Sequence, residues 1–120
     1  MIPAENIRDW RGRPVVDPDE AKIGTLEAVY YDTLGDEPVF ATVKVSGLLG
    51  RNTHLVFVPL AGAVVTPDHL KVAVARDLAR EAPSIAPDGE LAAHDEPAVF
   101  SHYGIEYRTG SRGERRLARR

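Results

Sequence analysis

At 120 residues the chain is the size of one ordinary domain with a single core, and with 43% hydrophobic and 28% charged residues it reads as a soluble globular protein. It contains no cysteine, which excludes disulfides, thiolate metal sites and cysteine nucleophiles and suits a reducing cytoplasm. A net charge of −3 gives no global attraction to nucleic acid or acidic lipid.

The N-terminal stretch MIPAENIRDWRGR carries Glu5, Arg8, Asp9 and Arg11 where a secretory signal needs an apolar core. The longest apolar run, residues 55–65, is interrupted by Pro59 and Gly62. It falls far short of the roughly 20 residues of a spanning helix. Neither a leader nor membrane insertion is expected, and the expected location is the cytoplasm.

Strand signals dominate residues 14–74. Residues 23–31 are rich in β-formers, but Leu26, Val29 and Tyr31 are unevenly spaced, and a bulge would bring them to one face. Val39, Ala41, Val43 and Val45 alternate with Phe40, Thr42 and Lys44, the period of a half-buried strand. The alternation resumes over residues 53–58. A short strand over 63–66 precedes Thr66-Pro67-Asp68-His69, which has turn chemistry, and Leu70, Val72 and Val74 follow. The breaks at DPDEAK, TLGDEP, SGLLGRN, LAG and PDH are short, so the strands are expected to form an antiparallel meander curled into a small barrel that hides its edges.

Helical signals come later. Residues 76–82 predict two turns ended by Pro83, and residues 84–89 read as a Pro-punctuated connector. Asp95 is a candidate cap for a helix bearing Val99, Phe100 and Tyr103 on one face, with Gly104 placed to end it in the left-handed conformation. That apolar face needs cover, from the barrel or from another copy of the chain. Beyond it, residues 108–120 hold six Arg and one Glu, so a basic arm of +5 follows a body of about −8.

The order of landmarks resembles the PRC-barrel family. The matching residues are Gly12-Arg13-Pro14-Val15-Val16, Ile23-Gly24-Thr25-Leu26, Asp32, Val58-Pro59-Leu60, Leu70-Lys71-Val72 and Ala82-Pro83. His102-Tyr103-Gly104-Ile105 is similar to a tail on stand-alone members, and the likeness covers about residues 7–105. The resemblance implies a mainly β protein, a barrel of about six antiparallel strands with a short C-terminal helical extension. It implies an interaction or scaffolding module with no shared catalytic set and no cofactor. In the photosynthetic reaction centre H subunit such a domain packs on the complex, and in the ribosome maturation factor family it helps dock onto a ribosomal protein. The H subunit's transmembrane helix has no counterpart here, which argues against a photosynthetic role. The expected organisation is a barrel over residues 7–83, a connector and helix over 84–107, and a disordered basic tail over 108–120.

Candidate chemistry is sparse. Asp17, Asp19 and Glu20 are a dense carboxylate group, but in calcium-loop register position six is Lys22 and position twelve is Ala28, so the template fails. They read as the solvent side of an Asp-Pro turn. His54, His69, His94 and His102 contain no pair at helical ligand spacing, although folding could assemble a metal site from separated positions. Ser101 and His102 are adjacent and diverge on a helix, and Gly47-Leu48-Leu49-Gly50 lacks the lysine of a phosphate loop. No catalytic, cofactor or metal residue is therefore assigned, and the protein is expected not to be an enzyme. The candidate partner contacts are Leu48 and Leu49 at a hairpin tip, with Val99, Phe100 and Tyr103 on the helix. A second set of candidate contacts is Arg108, Arg112, Arg115, Arg116, Arg119 and Arg120 in the tail. The leading expectation is a protein-binding adaptor that forms dimers or larger homo-oligomers. The alternative is a ribosome- or RNA-associated factor using the tail, and the third is a metal-dependent enzyme.

Overall fold

The computed structural model describes residues 11–33, 37–46, 53–87, 89–105 and 117–119. Among these residues, eight strands form one sheet. They are β1 (Pro14–Val16), β2 (Lys22–Asp32), β3 (Pro38–Val45), β4 (His54–Pro59), β5 (Val64–Val65), β6 (Leu70–Lys71), β7 (Ser84–Ile85) and β8 (Leu117–Arg119). Among the described residues there are two short helices, α1 (Arg76–Arg80) and α2 (Glu96–His102), the second preceded by a 3₁₀ turn at Ala93–Asp95. The sheet order is β5-β6-β1-β2-β3-β4-β7, with β8 paired to β2 beside this path.

The long β2–β3–β4 meander follows from the alternation of its apolar residues. Val29, Ala41, Val43, Val56 and Val58 all enter one core with Val15, Ile23, Leu26, Leu70 and Val72. The bulge expected in β2 is present: the β2–β3 register shifts between Leu26 and Ala28, and again between Tyr30 and Tyr31. It puts Leu26, Val29 and Tyr31 in the same core. The Thr66–His69 turn also forms. The Thr66 N–H donates to the His69 carbonyl at 2.9 Å, and the Thr66 hydroxyl accepts the His69 N–H at 3.0 Å.

Several expectations need correction. The sheet is mixed, because β1 and β6 pair in parallel, Val15 opposite Leu70. β3 is covered on both faces in its middle rather than half-buried: Phe40 and Thr42 are buried along with Ala41, Val43 and Val45. The connector after α1 contains a strand, since Ser84 and Ile85 pair with Val56 and Leu55 of β4. The basic arm, expected to be disordered throughout, is a strand at Leu117–Arg119 paired to Tyr30–Asp32. The sheet path ends at β5 and β7, so the barrel is not closed among the described residues.

Gly104 ends α2 as expected, with φ +68°. Asp95 does not cap it. It lies in the helical region at φ −94°, ψ −8°, inside the 3₁₀ turn, and makes no side-chain cap bond. None of the helices of the described residues is long and apolar enough to cross a membrane.

Candidate functional site

The carboxylate group resolves into one buried residue and two exposed ones. Asp17 is 5% exposed, whereas Asp19 and Glu20 face solvent. The Oδ1 of Asp17 accepts the N–H of Asp19 and of Ala21, each at 2.9 Å. Its Oδ2 accepts the N–H of Arg76, the first residue of α1, at 3.1 Å. The Ala21 N–H above all, then the Arg76 N–H, holds the carboxyl below its ordinary value of 3.8 against an opposing contribution from burial. α1 starts from Ala75, which has no side-chain acceptor, so Asp17 supplies the cap from 59 positions earlier. Its role is structural, and the expectation that all three carboxylates line the solvent side fails at Asp17.

Asp17→Asn is expected to lower the melting temperature at pH 7 by about 5 °C. The folded-state carboxyl titrates below its unfolded value, so its contribution is complete above about pH 5 and is lost as pH falls through the folded pKa. The gap between wild type and variant should therefore narrow in melts taken progressively below pH 3.8 or so. A gap that stays constant to pH 2 or so would show that ionisation is irrelevant to the clamp.

Glu20 points the other way, at 3.8 Å from the Lys71 ammonium. Among the described residues there is no group of three or more His, Asp or Glu side chains that could hold a metal ion. His102 Nε2 lies 2.7 Å from the Leu78 carbonyl and joins α2 to α1.

The apolar face of α2 is covered by the chain's own sheet. Val99 and Phe100 are buried with Tyr30, Phe40, Phe57, Leu91 and Leu117, and the Phe40 and Phe100 rings meet edge-on at 5.1 Å. Tyr103 packs beside Phe40, its hydroxyl donates to the Phe57 carbonyl, and burial pushes its pKa up. Of the candidate partner contacts, Val99 and Phe100 are therefore internal, because the sheet and β8 supply the cover that a second copy would otherwise provide. Leu48 and Leu49 lie outside the described residues. So do Arg108, Arg112, Arg115, Arg116 and Arg120, while Arg119 belongs to β8 opposite Tyr30.

Two residues that carry this arrangement draw no attention in the sequence. Leu117 is fully buried, and its N–H donates to the Oε2 of Glu96 at 3.0 Å. Glu96 is itself 0% exposed. The one available signal is a single Leu within RRLARR; Glu96, in HDEP, has none.

Among the described residues, β5 is one of the two ends of the sheet path, the other being β7. The turn Ala61–Gly62 links β4 to the edge strand β5, where Val64 is 56% exposed. Beside it lies a mainly apolar recess of about 420 Å³, lined by Pro38, Val39, Pro59, Leu60, Ala63 and Ile105, with Glu37 also in its lining. Edge strand and recess share this turn, so a strand at the end of the sheet path lies beside apolar surface.

The barrel landmarks agree with a comparison to known families: residues 3–79 match the family model described as PRC-barrel domain, a span that takes in β1–β6 and most of α1. A comparison with curated proteins finds no match.

Proposed function

The chain belongs to the PRC-barrel domain family, and from that premise we propose that it is a non-catalytic adaptor that binds other protein chains, further copies of itself among them. PRC-barrel domains are in general not enzymes. The observation that carries the reading is the end strand β5, with Val64 exposed, next to the apolar recess. A strand added along β5 would satisfy its outward backbone groups, and an apolar side chain beside that strand would fill the recess.

This reading places the contact at an end strand of the sheet rather than on α2, whose apolar face is already used. Sedimentation velocity at about 50 μM tests it. The wild type is expected to contain dimer, and Val64→Lys, a charge placed on the open edge, is expected to weaken association about tenfold. A wild type that stays strictly monomeric at that concentration ends the self-association part of the proposal. Association that Val64→Lys leaves unchanged moves it away from β5.

A further inference from the structure

A second recess, of about 260 Å³, lies where α1 meets the N-terminal half of β2, and its character is opposite to the first. Its lining brings together the cations Lys22, Lys44 and Arg80 with the hydroxyl residues Thr25 and Ser46. Among the described residues, no carboxylate lines it.

Three separate elements build the site. Lys22 opens β2, Lys44 stands on β3 directly opposite Thr25, and Arg80 ends α1. The Arg80 guanidinium is tied to the wall of the recess, donating through Nη2 to the carbonyls of Lys22 and Ile23 at 3.4 Å each. Gly24 lets the strands come this close, since a Cβ there would lie 2.1 Å from the Lys44 carbonyl oxygen. None of the ion pairs among the described residues involves these cations: Glu20 pairs with Lys71, Asp77 with Arg76, and Asp95 with His94. Three like charges around one recess repel one another, on a body that is acidic as a whole.

We infer that this recess binds a phosphate group. Arg and Lys supply charge-assisted hydrogen bonds to phosphate oxygens, and the hydroxyls add neutral donors. The volume is below the range of about 300–1,000 Å³ typical of sites for drug-sized ligands, which suits a phosphate and little more of the molecule that carries it. That carrier is either a small phosphorylated solute or the headgroup of an anionic lipid, and the recess is open enough to solvent for both, with Lys22, Lys44, Ser46 and Arg80 all exposed.

The test uses the full chain. Inorganic phosphate is titrated at constant ionic strength, following backbone amide shifts, and co-sedimentation is measured with vesicles containing phosphatidic acid. The free-phosphate arm predicts saturable shifts at Lys22–Thr25, Lys44 and Ser46, with a Kd on the order of 1 mM or tighter. The vesicle arm predicts binding that neutral vesicles do not give; a positive vesicle result without free-phosphate binding assigns the carrier as lipid. In whichever arm binds, Lys44→Glu should weaken affinity at least tenfold, while Lys71→Ala, outside the recess, should not. Lys22→Glu serves as an independent second variant, with thermal melts checking that each variant is folded. Absence of binding in both arms overturns the inference, and so does binding that folded Lys44→Glu and Lys22→Glu variants retain.

Discussion

Gly24→Ala is expected to destabilise the protein by about 3 kcal/mol or more, a large share of the 5–15 kcal/mol typical of a domain. The added Cβ would lie 2.1 Å from the carbonyl oxygen of Lys44 and 2.8 Å from Cγ1 of Val43. The first obstacle is backbone in the next strand, so no rotamer change relieves it, and the β2–β3 pairing that starts at Thr25 and Lys44 must move. Gly104 provides the contrast. It has φ +68°, and a methyl added there would meet nothing within 4 Å, so Gly104→Ala incurs only the left-handed strain of about 1 kcal/mol. Urea unfolding followed by circular dichroism separates the two. Equal midpoints for the two variants would mean that β2 and β3 are not held as close as the geometry requires.

The contrast between these glycines marks what local sequence can convey. Gly104 is readable from its place after an apolar helical face, because helix termination is a local event. Gly24 is readable as part of a family landmark, but its reason is contact with β3, twenty residues further along. The same division runs through the fold. The β2–β4 meander, the bulge and the Thr66–His69 turn follow from period-two patterning and turn chemistry within a few residues of each position. The parallel β1–β6 pair joins residues 55 apart, and the Asp17 clamp joins residues 59 apart, and no local pattern names the partner of either. β3 looks half-buried in sequence because alternation reports two faces of different character, Val against Phe and Thr, without reporting what covers each.

The interaction surface is hardest to read for a related reason. An apolar stripe on α2 announces that it must be covered, and the choice between self and partner is made by a segment fifteen residues downstream, where Leu117 stands among arginines. The open edge at β5 carries only Val64-Val65, too short to register as unusual, and becomes a candidate surface only because the sheet path ends there. The cationic recess likewise draws its three charges from positions 22, 44 and 80, which no motif links.

Leu117→Ala is expected to cost about 2–5 kcal/mol, the range for removing a fully buried leucine. Leu117 is 0% exposed and packs with Tyr30, Phe40, Phe57, Val99 and Phe100, so its loss leaves a cavity between α2 and the sheet. Glu96 accepts the Leu117 N–H and is equally buried, so the two residues form one unit that fastens β8 under α2. In a double-mutant cycle Glu96→Ala and Leu117→Ala should be non-additive by about 0.5–3 kcal/mol, as residues sharing one contact are. Independent effects would mean that helix and strand are held separately. The same packing governs how the arginines of the tail are tested. A chain cut after Tyr107 would lose Leu117 along with the charge, and any lost RNA binding could then reflect a damaged core. Replacing Arg108, Arg112 and Arg120 by Gln lowers the charge while Leu117 stays in its socket. Binding that survives those replacements but disappears on truncation would assign it to the folded β8–α2 unit rather than to the charge of the arm.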